Sequence, residues 1–438
     1  MTNLMTEGSI TRKLLEFAVP MFFCTIFQQL YSVADAIIVG RFAGTTGLAA
    51  IGVTSQIILL TVSVGIGFML GISTVISESI GSGSMDRLRQ TEAIAVYIVF
   101  ITYGIKLVIG LFLARPILEL TNTPADVMDG AVTYLRILFC GGLFTYAYSM
   151  CVYIMRACGE SLKPLLLLAF SSIMNVGLDL LFVCVFDMGV AGAAIGTVIA
   201  ESAAAGLCLW YMHAKMPQLR ISMQDFKTLK KPLVAYTMKL SVPSSLQIGA
   251  VMFCSILVQA VINKYGTDVV AGYTAAVKIE QLVMAAVSAL GGALSTFAAQ
   301  NRGAGNFDRI SLGLRTSVRD SALLTVSLSA LIFFFGGQLV SLFAEAGSTA
   351  VVGAGYEYLK ITCWFYIASA LSSLFSSVLR GMADAAAPLI IGTVQIAVNL
   401  AAIFILAPIM GCEGVWISVA AGWVLCALTG GIRLKRFF

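Results

Sequence analysis

Residues 78–87 read ESIGSGSMDR and residues 300–309 read QNRGAGNFDR, so one glycine-containing motif that ends in Asp-Arg occurs twice, 222 positions apart. Pro20 and Pro243 repeat at nearly the same spacing. So do Arg156 and Arg380, Pro164 and Pro388, Asn175 and Asn399, and Gly192 and Gly414. Self-similarity at one long period is the signature of a duplicated structural unit. The chain is therefore predicted to contain two copies of one unit.

The composition places both copies in a membrane. Of the 438 residues, 59% are apolar and only 11% are charged, and the mean hydropathy is +0.95, whereas a soluble domain carries about 25% charged residues. This composition argues against nucleic-acid binding. The ten cysteines form no CxxC pair and are interpreted as reduced apolar residues. The single histidine, His213, argues against a catalytic triad and a histidine-based metal site.

Twelve apolar segments are long enough to cross a bilayer as helices, which takes about 20 residues each. They are 14–39, 48–77, 92–113, 131–155, 164–186, 190–212, 235–262, 269–298, 316–335, 354–379, 388–409 and 414–432. The first is predicted to be a retained spanning helix, because no small-residue cleavage site follows a short apolar core.

These segments predict an all-α membrane protein, with twelve transmembrane helices in two pseudo-symmetric six-helix bundles around a central cavity. Residues 1–212 and 234–438 are predicted to form the two bundles, and the polar stretch 213–233 is predicted to be a cytoplasmic linker. Because six is an even number, both bundles enter the membrane from the same side.

The lysine and arginine residues give the orientation. With the N-terminus in the cytoplasm, 19 of the 27 Lys and Arg residues lie at inner loops and helix ends, and only Arg41, Arg115 and Lys264 lie outside. Positive residues are retained on the cytoplasmic side of membranes. Both termini are therefore predicted to be cytoplasmic, and a single missed helix would invert everything after it.

Two carboxyl groups lie inside predicted spans, where a charge at the bilayer centre costs at least about 2.5–3.5 kcal/mol. Asp35 lies about one turn from the outer end of the first span. Asp179 lies midway along the fifth span, four residues after Asn175 and on the same helix face. If both carboxyl groups face one cavity, they titrate as a coupled pair that can hold one proton or one Na⁺. Asn175 and Thr197 offer further oxygen ligands for a hard cation.

Structural alternatives exist for these and for other polar residues in the spans. Asp35 could instead reach the lipid headgroups, and Asp179 could be a protonated, hydrogen-bonded structural residue. Glu280 in the eighth span is interpreted as either functional or structural. Lys106 and Glu201 are interpreted as isolated residues or residues near span ends.

Prolines and glycines in the spans concern helix geometry. Pro20 and Pro243 each free a backbone carbonyl and favour a kink, which is either a moving part beside Asp35 or an inert bend. Glycines recur at four-residue spacing, and close helix packing is the preferred interpretation. These pairs are Gly67 with Gly71 and Gly192 with Gly196.

The polar residues and turn motifs together resemble the multidrug and toxic-compound extrusion (MATE) family along essentially the whole chain. The matching stretches are Glu7-Gly-Ser-Ile10, Pro20, Gln29-Leu-Tyr31 to Asp35 with Gly40, Glu78 to Arg87, Arg156-Ala-Cys-Gly159, Asn175 with Asp179, and Gly189-Val-Ala-Gly192-Ala-Ala194. The resemblance implies antiport of H⁺ or Na⁺ against organic, often cationic, compounds, with no cofactor and no enzymatic activity.

The resemblance also implies roles for individual residues. The expected cation site comprises Asp35, Asn175, Asp179 and Thr197, which would be metal ligands only with Na⁺ as the coupling ion, and Pro20 is the expected helix-bending proline. The residues expected to line the substrate cavity are Gln28, Gln29, Tyr31, Gln247, Gln259 and Glu280. An equally favoured interpretation is that Gln247 and Gln259 form hydrogen bonds between helices. A monomer in the cytoplasmic membrane is expected.

One feature departs from the family pattern, and two other functions compete. Some branches carry an acidic residue in the seventh or tenth helix, where this chain has Gln247 and Gln259 in the seventh and no internal acid in the tenth. Coupling through the N-terminal half is therefore favoured. A lipid-linked-oligosaccharide flippase of the same superfamily is the alternative transporter, although it would need a basic cavity. A membrane prenyl- or acyltransferase is disfavoured, because neither DDxxD nor HxxxD occurs.

Overall fold

The computed structural model describes residues 4–121, 123–343 and 348–437, and every regular element in these ranges is helical. Eleven helices there are long and apolar enough to cross a membrane, and one bent pair of helices supplies a twelfth span. A helix satisfies its backbone hydrogen bonds internally, as the lipid core requires. The predicted fold class, an all-α membrane protein with twelve spans, is confirmed.

The first six spans follow one another with short connections. They are α1 (Ile10–Phe42), α2 (Gly44–Gly81), α3 (Met85–Val108) with α4 (Ala114–Leu120), α5 (Ala125–Cys140) with α6 (Gly142–Ala157), α7 (Leu162–Asp179), and α8 (Gly189–Lys215). A π-helical segment joins α3 to α4, and a second one, Leu180–Val185, extends α7. The short α9 (Met223–Lys227) follows, where Phe226 packs edge-on against Tyr97 with ring centroids 5.6 Å apart.

The second six spans repeat this order. They are α10 (Lys231–Ile262), α11 (Thr267–Gly303), α12 (Phe307–Ser341), α13 (Thr349–Thr362) with α14 (Tyr366–Gly381), α15 (Ala386–Met410) and α16 (Cys412–Leu434). A 3₁₀ turn, Cys363–Phe365, joins α13 to α14. Pro20 lies within α1 and Pro243 within α10, and both helices continue past their proline.

The fourth span differs from the sequence-based expectation of one uninterrupted helix over 131–155. It breaks at Gly141, and α5 and α6 meet there at an angle of 50°. Two consecutive glycines, Gly141 and Gly142, occupy the break. Glycine destabilises a helix interior by about 1 kcal/mol relative to alanine, so the helix is weakest at this pair.

The contacts divide the chain into two units. The first unit contains Phe23–Ser245, and the second contains Leu4–Phe22 together with Leu246–Phe438. The N-terminal part of α1 therefore packs within the second unit, where Leu14 and Phe17 are buried in its core. Likewise the N-terminal part of α10 packs within the first unit. The points of division lie two residues after Pro20 and two residues after Pro243.

Glycines of α2 bring α10 close within the first unit, as the four-residue glycine spacing predicts. A methyl group on Gly67 would overlap Cα of Ser245, and one on Gly71 would overlap Cα of Ser241. Only glycine permits backbones to approach this closely, so the packing role predicted for this pair is confirmed.

Each copy of the duplicated motif contacts the N-terminal end of the first helix of one half, α1 or α10. In the second unit, Arg309 Nε donates to the carbonyl oxygen of Met5 at 3.3 Å, and Met5 is 2% exposed. In the first unit, the Tyr236 hydroxyl of α10 donates to Glu78 Oε2 at 2.8 Å, while Arg87 lies 5.2 Å from the centre of the Tyr236 ring. The motif thus anchors the N-terminal ends of α1 and α10.

Candidate functional site

The site begins with two polar residues on one face of α7. Asn175 and Asp179 are one helical turn apart, and their exposed fractions are 2% and 0%. The π-helical segment Leu180–Val185 starts immediately after Asp179. Insertions of this kind concentrate at functional sites, because the widened turn re-aims the side chains next to it.

Helix α8 supplies the opposite wall of the site. A methyl group on Gly196 would lie 2.6 Å from Oδ1 of Asp179, so the glycine leaves room for that carboxyl group against the backbone. The neighbouring Thr197 is 9% exposed and hydrogen-bonds to Asn175 at 3.2 Å. These contacts place Asn175, Asp179 and Thr197 in one buried cluster.

The orientation of the Asn175 amide follows from its neighbours. With its amide nitrogen toward Asp179, Asn175 donates to Asp179 Oδ2 at 2.8 Å, and its amide oxygen accepts from the backbone N–H of Thr197 at 3.1 Å. The opposite orientation leaves the oxygen facing an acceptor. Asn175 therefore contacts Asp179 as a hydrogen-bond donor, and not through the carbonyl oxygen expected to face a cation.

Helix α1 completes the cluster from one face. Asp35 is 8% exposed and its carboxyl group is hydrogen-bonded to that of Asp179. One turn earlier, the Tyr31 hydroxyl lies 3.2 Å from Oγ1 of Thr197. All four residues of the expected cation site, together with Tyr31, thus lie together within the first unit.

The contact between the two carboxyl groups carries a chemical consequence. An ionised carboxylate only accepts hydrogen bonds, so a bond between Asp35 and Asp179 requires a proton on one of them. The Oδ1 atoms of both residues are buried and accept no hydrogen bond from any described residue. Buried polar atoms are normally satisfied, so these two oxygens are available to a ligand that donates a proton or carries positive charge.

The donor set defines which cations fit. Two carboxyl groups and a hydroxyl are hard oxygen ligands, which suit a proton or Na⁺. Within the described ranges, no group of three or more His, Cys, Asp or Glu side chains could hold a metal ion. The cluster therefore brings two carboxyl groups and one hydroxyl together as oxygen donors.

The residues expected to line a substrate cavity lie in different places. Gln28 and Gln29 are exposed on α1, whereas Tyr31 belongs to the cluster around Thr197. In the second unit, Gln247 accepts a hydrogen bond from Arg380 at 3.2 Å, so its polar group serves packing between helices there. Gln259 donates at 2.8 Å to Asn263, in the 3₁₀ turn that follows α10.

Glu280 lies in an aromatic cluster of the second unit. Its Oε2 accepts from the Tyr358 hydroxyl at 2.6 Å. Tyr273 stacks on Trp416 with centroids 5.3 Å apart, and Tyr358 meets both rings edge-on. The carboxyl group is therefore held by a phenol, in a setting unlike that of the Asp35–Asp179 pair.

The second half carries no counterpart of that pair. At the spacings of the duplication, the positions that correspond to Asp35, Asn175, Asp179 and Thr197 are Val258, Asn399, Ile403 and Val419. Val258 and Ile403 are 4% and 3% exposed and belong to one apolar cluster. Asn399 donates to Cys254 Sγ at 3.6 Å. Only the amide is retained, so the corresponding region of the second half is apolar.

Two features of the first unit are absent from the sequence-based expectations. Tyr134 of α5 is 5% exposed and lies within electrostatic range of both Asp35 and Asp179. Lys106, interpreted as isolated or near a span end, is 3% exposed and its Nζ lies 5.1 Å from the ring centre of Phe139. Glu201, interpreted in the same way, accepts a hydrogen bond from the Thr145 hydroxyl.

Comparisons with known proteins agree on one family. The MatE family model matches residues 20–181 and 243–405, one match in each half. Among similar proteins, the probable multidrug resistance protein YpnP of Bacillus subtilis is 28% identical over 380 residues, covering 86% of this chain and 83% of that protein. The multidrug export protein MepA of Staphylococcus aureus is 21% identical over 96% of this chain and 93% of its own length.

Solved structures share the fold. A multidrug resistance MATE transporter of the MOP superfamily in an outward-facing conformation superimposes with a TM-score of 0.90 at 20% identity, covering 100% of this chain and 99% of that one. A MATE protein in the bent conformation gives 0.91 at 20% identity, over 100% of this chain and 98% of that one. From its matches in both halves and its twelve spans, the chain belongs to the MatE family and is a membrane transporter, not an enzyme.

Proposed function

We propose that the chain is a secondary active exporter, which moves small organic, often cationic, compounds out of the cell in exchange for H⁺ or Na⁺. The observation that carries this proposal is the buried contact between Asp35 and Asp179, each with an Oδ1 that lacks a described hydrogen-bond donor. Asn175 and Thr197 orient the pair. Two acids in contact are stable only with a proton or another cation between them.

Coupling follows from unequal binding of the cation to two conformations. When H⁺ or Na⁺ binds at Asp35 and Asp179, the repulsion between the carboxyl groups and their cost of burial both fall. Conformations that bring the groups together are then stabilised. Pro20 lacks the N–H that would bond to the carbonyl four residues earlier, so α1 is the helix expected to bend and to transmit the change. This bend drives the alternating-access cycle.

The proposed coupling uses the N-terminal half alone. In the second half, Val258 corresponds to Asp35 and Ile403 corresponds to Asp179, and neither side chain can bind a cation. Glu280 is engaged by Tyr358 in a different setting. We therefore expect one coupling site per chain.

The cargo is proposed from the relatives and from the polar residues of the spans. YpnP and MepA carry names that describe multidrug resistance or export. The residues that the sequence predicts to line a substrate cavity lie in different places, but all are acidic or neutral, namely Gln28, Gln29, Tyr31, Gln247, Gln259 and Glu280. Acidic and neutral groups favour cationic compounds, whereas a lipid-linked-oligosaccharide flippase would need basic groups for its pyrophosphate. We propose a monomer in the cytoplasmic membrane, with both termini cytoplasmic.

The test is ethidium uptake into inside-out vesicles that contain the chain, since export from the cell corresponds to transport into their lumen. Ethidium transport is followed with a pH gradient alone and then with a Na⁺ gradient alone, so the driving ion is identified directly. Asp35→Asn and Asp179→Asn should each abolish gradient-driven transport, because the amide cannot take up the cation. The matched control is Asp129→Asn, whose side chain is 89% exposed.

Protein amounts in the vesicle membranes are measured for every variant. Wild-type rates in Asp35→Asn or Asp179→Asn would refute the assignment of the cation site. Failure of both gradients to drive ethidium in the wild type would reject multidrug antiport and leave the flippase as the transporter to test.

A further inference from the structure

Residues 215–231, which lie between α8 and α10 and include α9, carry a strong positive charge. This stretch is named the basic linker, because five of its 17 residues are lysine or arginine and only Asp225 is acidic. The basic side chains are all exposed, and no ion pair joins any of them to a described residue. They are Lys215, Arg220, Lys227, Lys230 and Lys231.

The acidic residue of the basic linker is already engaged. Asp225 Oδ2 accepts hydrogen bonds from the backbone N–H and the hydroxyl of Ser222, at 2.7 and 2.9 Å, and so caps the start of α9. Lys230 and Lys231 lie at the N-terminal end of α10, whose first turn contains no acidic residue. The positive end of the helix dipole adds to their charge. The described residues therefore leave the charge of the basic linker uncompensated.

The basic linker packs against the first unit. Met216 and Leu219 are buried, and the 3₁₀ turn Pro217–Leu219 contacts α3 and α8. Phe226 of α9 packs edge-on against Tyr97 of α3. These apolar contacts fix the backbone, so the exposed basic side chains belong to a packed surface.

The same contacts place the basic linker at the level of the lipid headgroups. Tyr97 lies five residues inside the predicted span 92–113, so Phe226 reaches the end of that span. Tyr97 and Trp210 are both exposed, and such aromatic residues concentrate at the boundary between membrane and water. Met223, at the start of α9, is exposed as well and supplies an apolar side chain that can enter this boundary.

We propose that the basic linker binds the anionic phospholipid headgroups of the leaflet that it faces. Charge complementarity supports this assignment, because lysine and arginine beside a membrane attract anionic lipids, each with a gain in binding of about fivefold. A soluble acidic partner would match the charge but would leave the aromatic residues at headgroup level unexplained. The inference goes beyond the proposed transport function and is independent of the coupling cation.

Hydrogen exchange, measured by mass spectrometry on the full chain in lipid nanodiscs, tests this binding at the linker itself. One set of nanodiscs contains phosphatidylcholine alone, and the other contains phosphatidylcholine mixed with phosphatidylglycerol. We expect the backbone amides of residues 215–231 to exchange several-fold more slowly when phosphatidylglycerol is present. This difference should disappear at about 1 M salt, where the Debye length falls to about 3 Å.

Two lysines provide the decisive variants. Lys230→Gln/Lys231→Gln removes two charges and should weaken lipid binding by about 25-fold, so that exchange in both nanodiscs becomes similar. Lys230→Arg/Lys231→Arg keeps the charge and should keep the slow exchange. The matched control is Arg41→Gln/Lys264→Gln, which removes the same net charge from exposed residues outside the linker and should also keep it.

The turn at residues 82–84, which contains no lysine or arginine, is the internal reference in the same spectra. Equal exchange of residues 215–231 in the two nanodiscs would overturn the inference. An equal slowing at residues 82–84, or an undiminished slowing in Lys230→Gln/Lys231→Gln, would show a general effect of the lipid and overturn it too. Slowing by polyglutamate in phosphatidylcholine nanodiscs, without any effect of phosphatidylglycerol, would assign the surface to a soluble acidic partner instead.

Discussion

Replacing Gly196 by alanine adds one methyl group where the Asp179 carboxyl group meets α8. The new carbon would lie 2.6 Å from Oδ1 of Asp179, whereas ordinary contacts lie at 3.4–4 Å. The α8 backbone is fixed by its own hydrogen bonds, so the side chain of Asp179 must move by about 1 Å. That displacement stretches its hydrogen bonds to Asn175 and Asp35.

The size of the effect follows from those bonds. A hydrogen bond to a charged group contributes about 1.5–3 kcal/mol, and about 1.4 kcal/mol corresponds to a factor of ten. If the bond to Asp35, which requires a proton on one carboxyl group, is lost, the cation concentration for half-maximal efflux should rise by about 10- to 100-fold in Gly196→Ala. The helix itself should not suffer, because alanine favours a helix by up to about 1 kcal/mol more than glycine.

Gly206 provides the matched control on the same helix. No atom lies within 4 Å of the position that its methyl group would occupy. Gly206→Ala should therefore keep the wild-type cation dependence in the vesicle assay, at equal amounts of protein. If Gly196→Ala and Gly206→Ala show the same half-maximal concentration, Asp179 does not act from the position argued for it.

Two further predictions concern an amide and an ion pair. Asn175→Leu removes the donor that stabilises the ionised Asp179 and should lower the half-maximal cation concentration about tenfold, whereas Asn399→Leu, at the matching position of the second half, should leave it unchanged; equal effects would refute one-sided coupling. Asp384 lies in the turn before α15, where Arg433 binds its two oxygens at 2.6 and 2.8 Å. Burial alone would raise the pKa of Asp384, but the hydrogen bonds and charge of Arg433 outweigh it and hold that pKa below its ordinary value. Asp384→Asn should lower the free energy of unfolding by about 1–3 kcal/mol at neutral pH. The stabilisation is present above the unfolded-state pKa and is lost as pH falls through the lowered folded-state pKa, so the difference in thermal stability from the wild type should shrink below about pH 4; a constant difference would contradict this origin.

The sequence predicted the positions of some polar residues but not the orientation of their side chains. Asp35, Asn175, Asp179 and Thr197 were expected together from the family resemblance, and they do lie together. The one-turn spacing of Asn175 and Asp179 is local and so could be read directly. The orientation of the Asn175 amide could not, because it depends on Thr197 of another helix.

The amino-acid sequence by itself determined the number of spans, their duplication and the positions of the unusual polar residues. Each span must be a long apolar helix, because the lipid core offers no hydrogen-bond partners to the backbone. This requirement applies to each segment separately, so it can be recognised in the local sequence. Only the tertiary structure decided the bend at Gly141, the division of α1 and α10 between two contact units, and the position of Lys106 against the rings of Phe139 and Tyr146. Each of these depends on which side chains meet across helices, and contacts between distant parts of the chain have no periodic signature in the sequence.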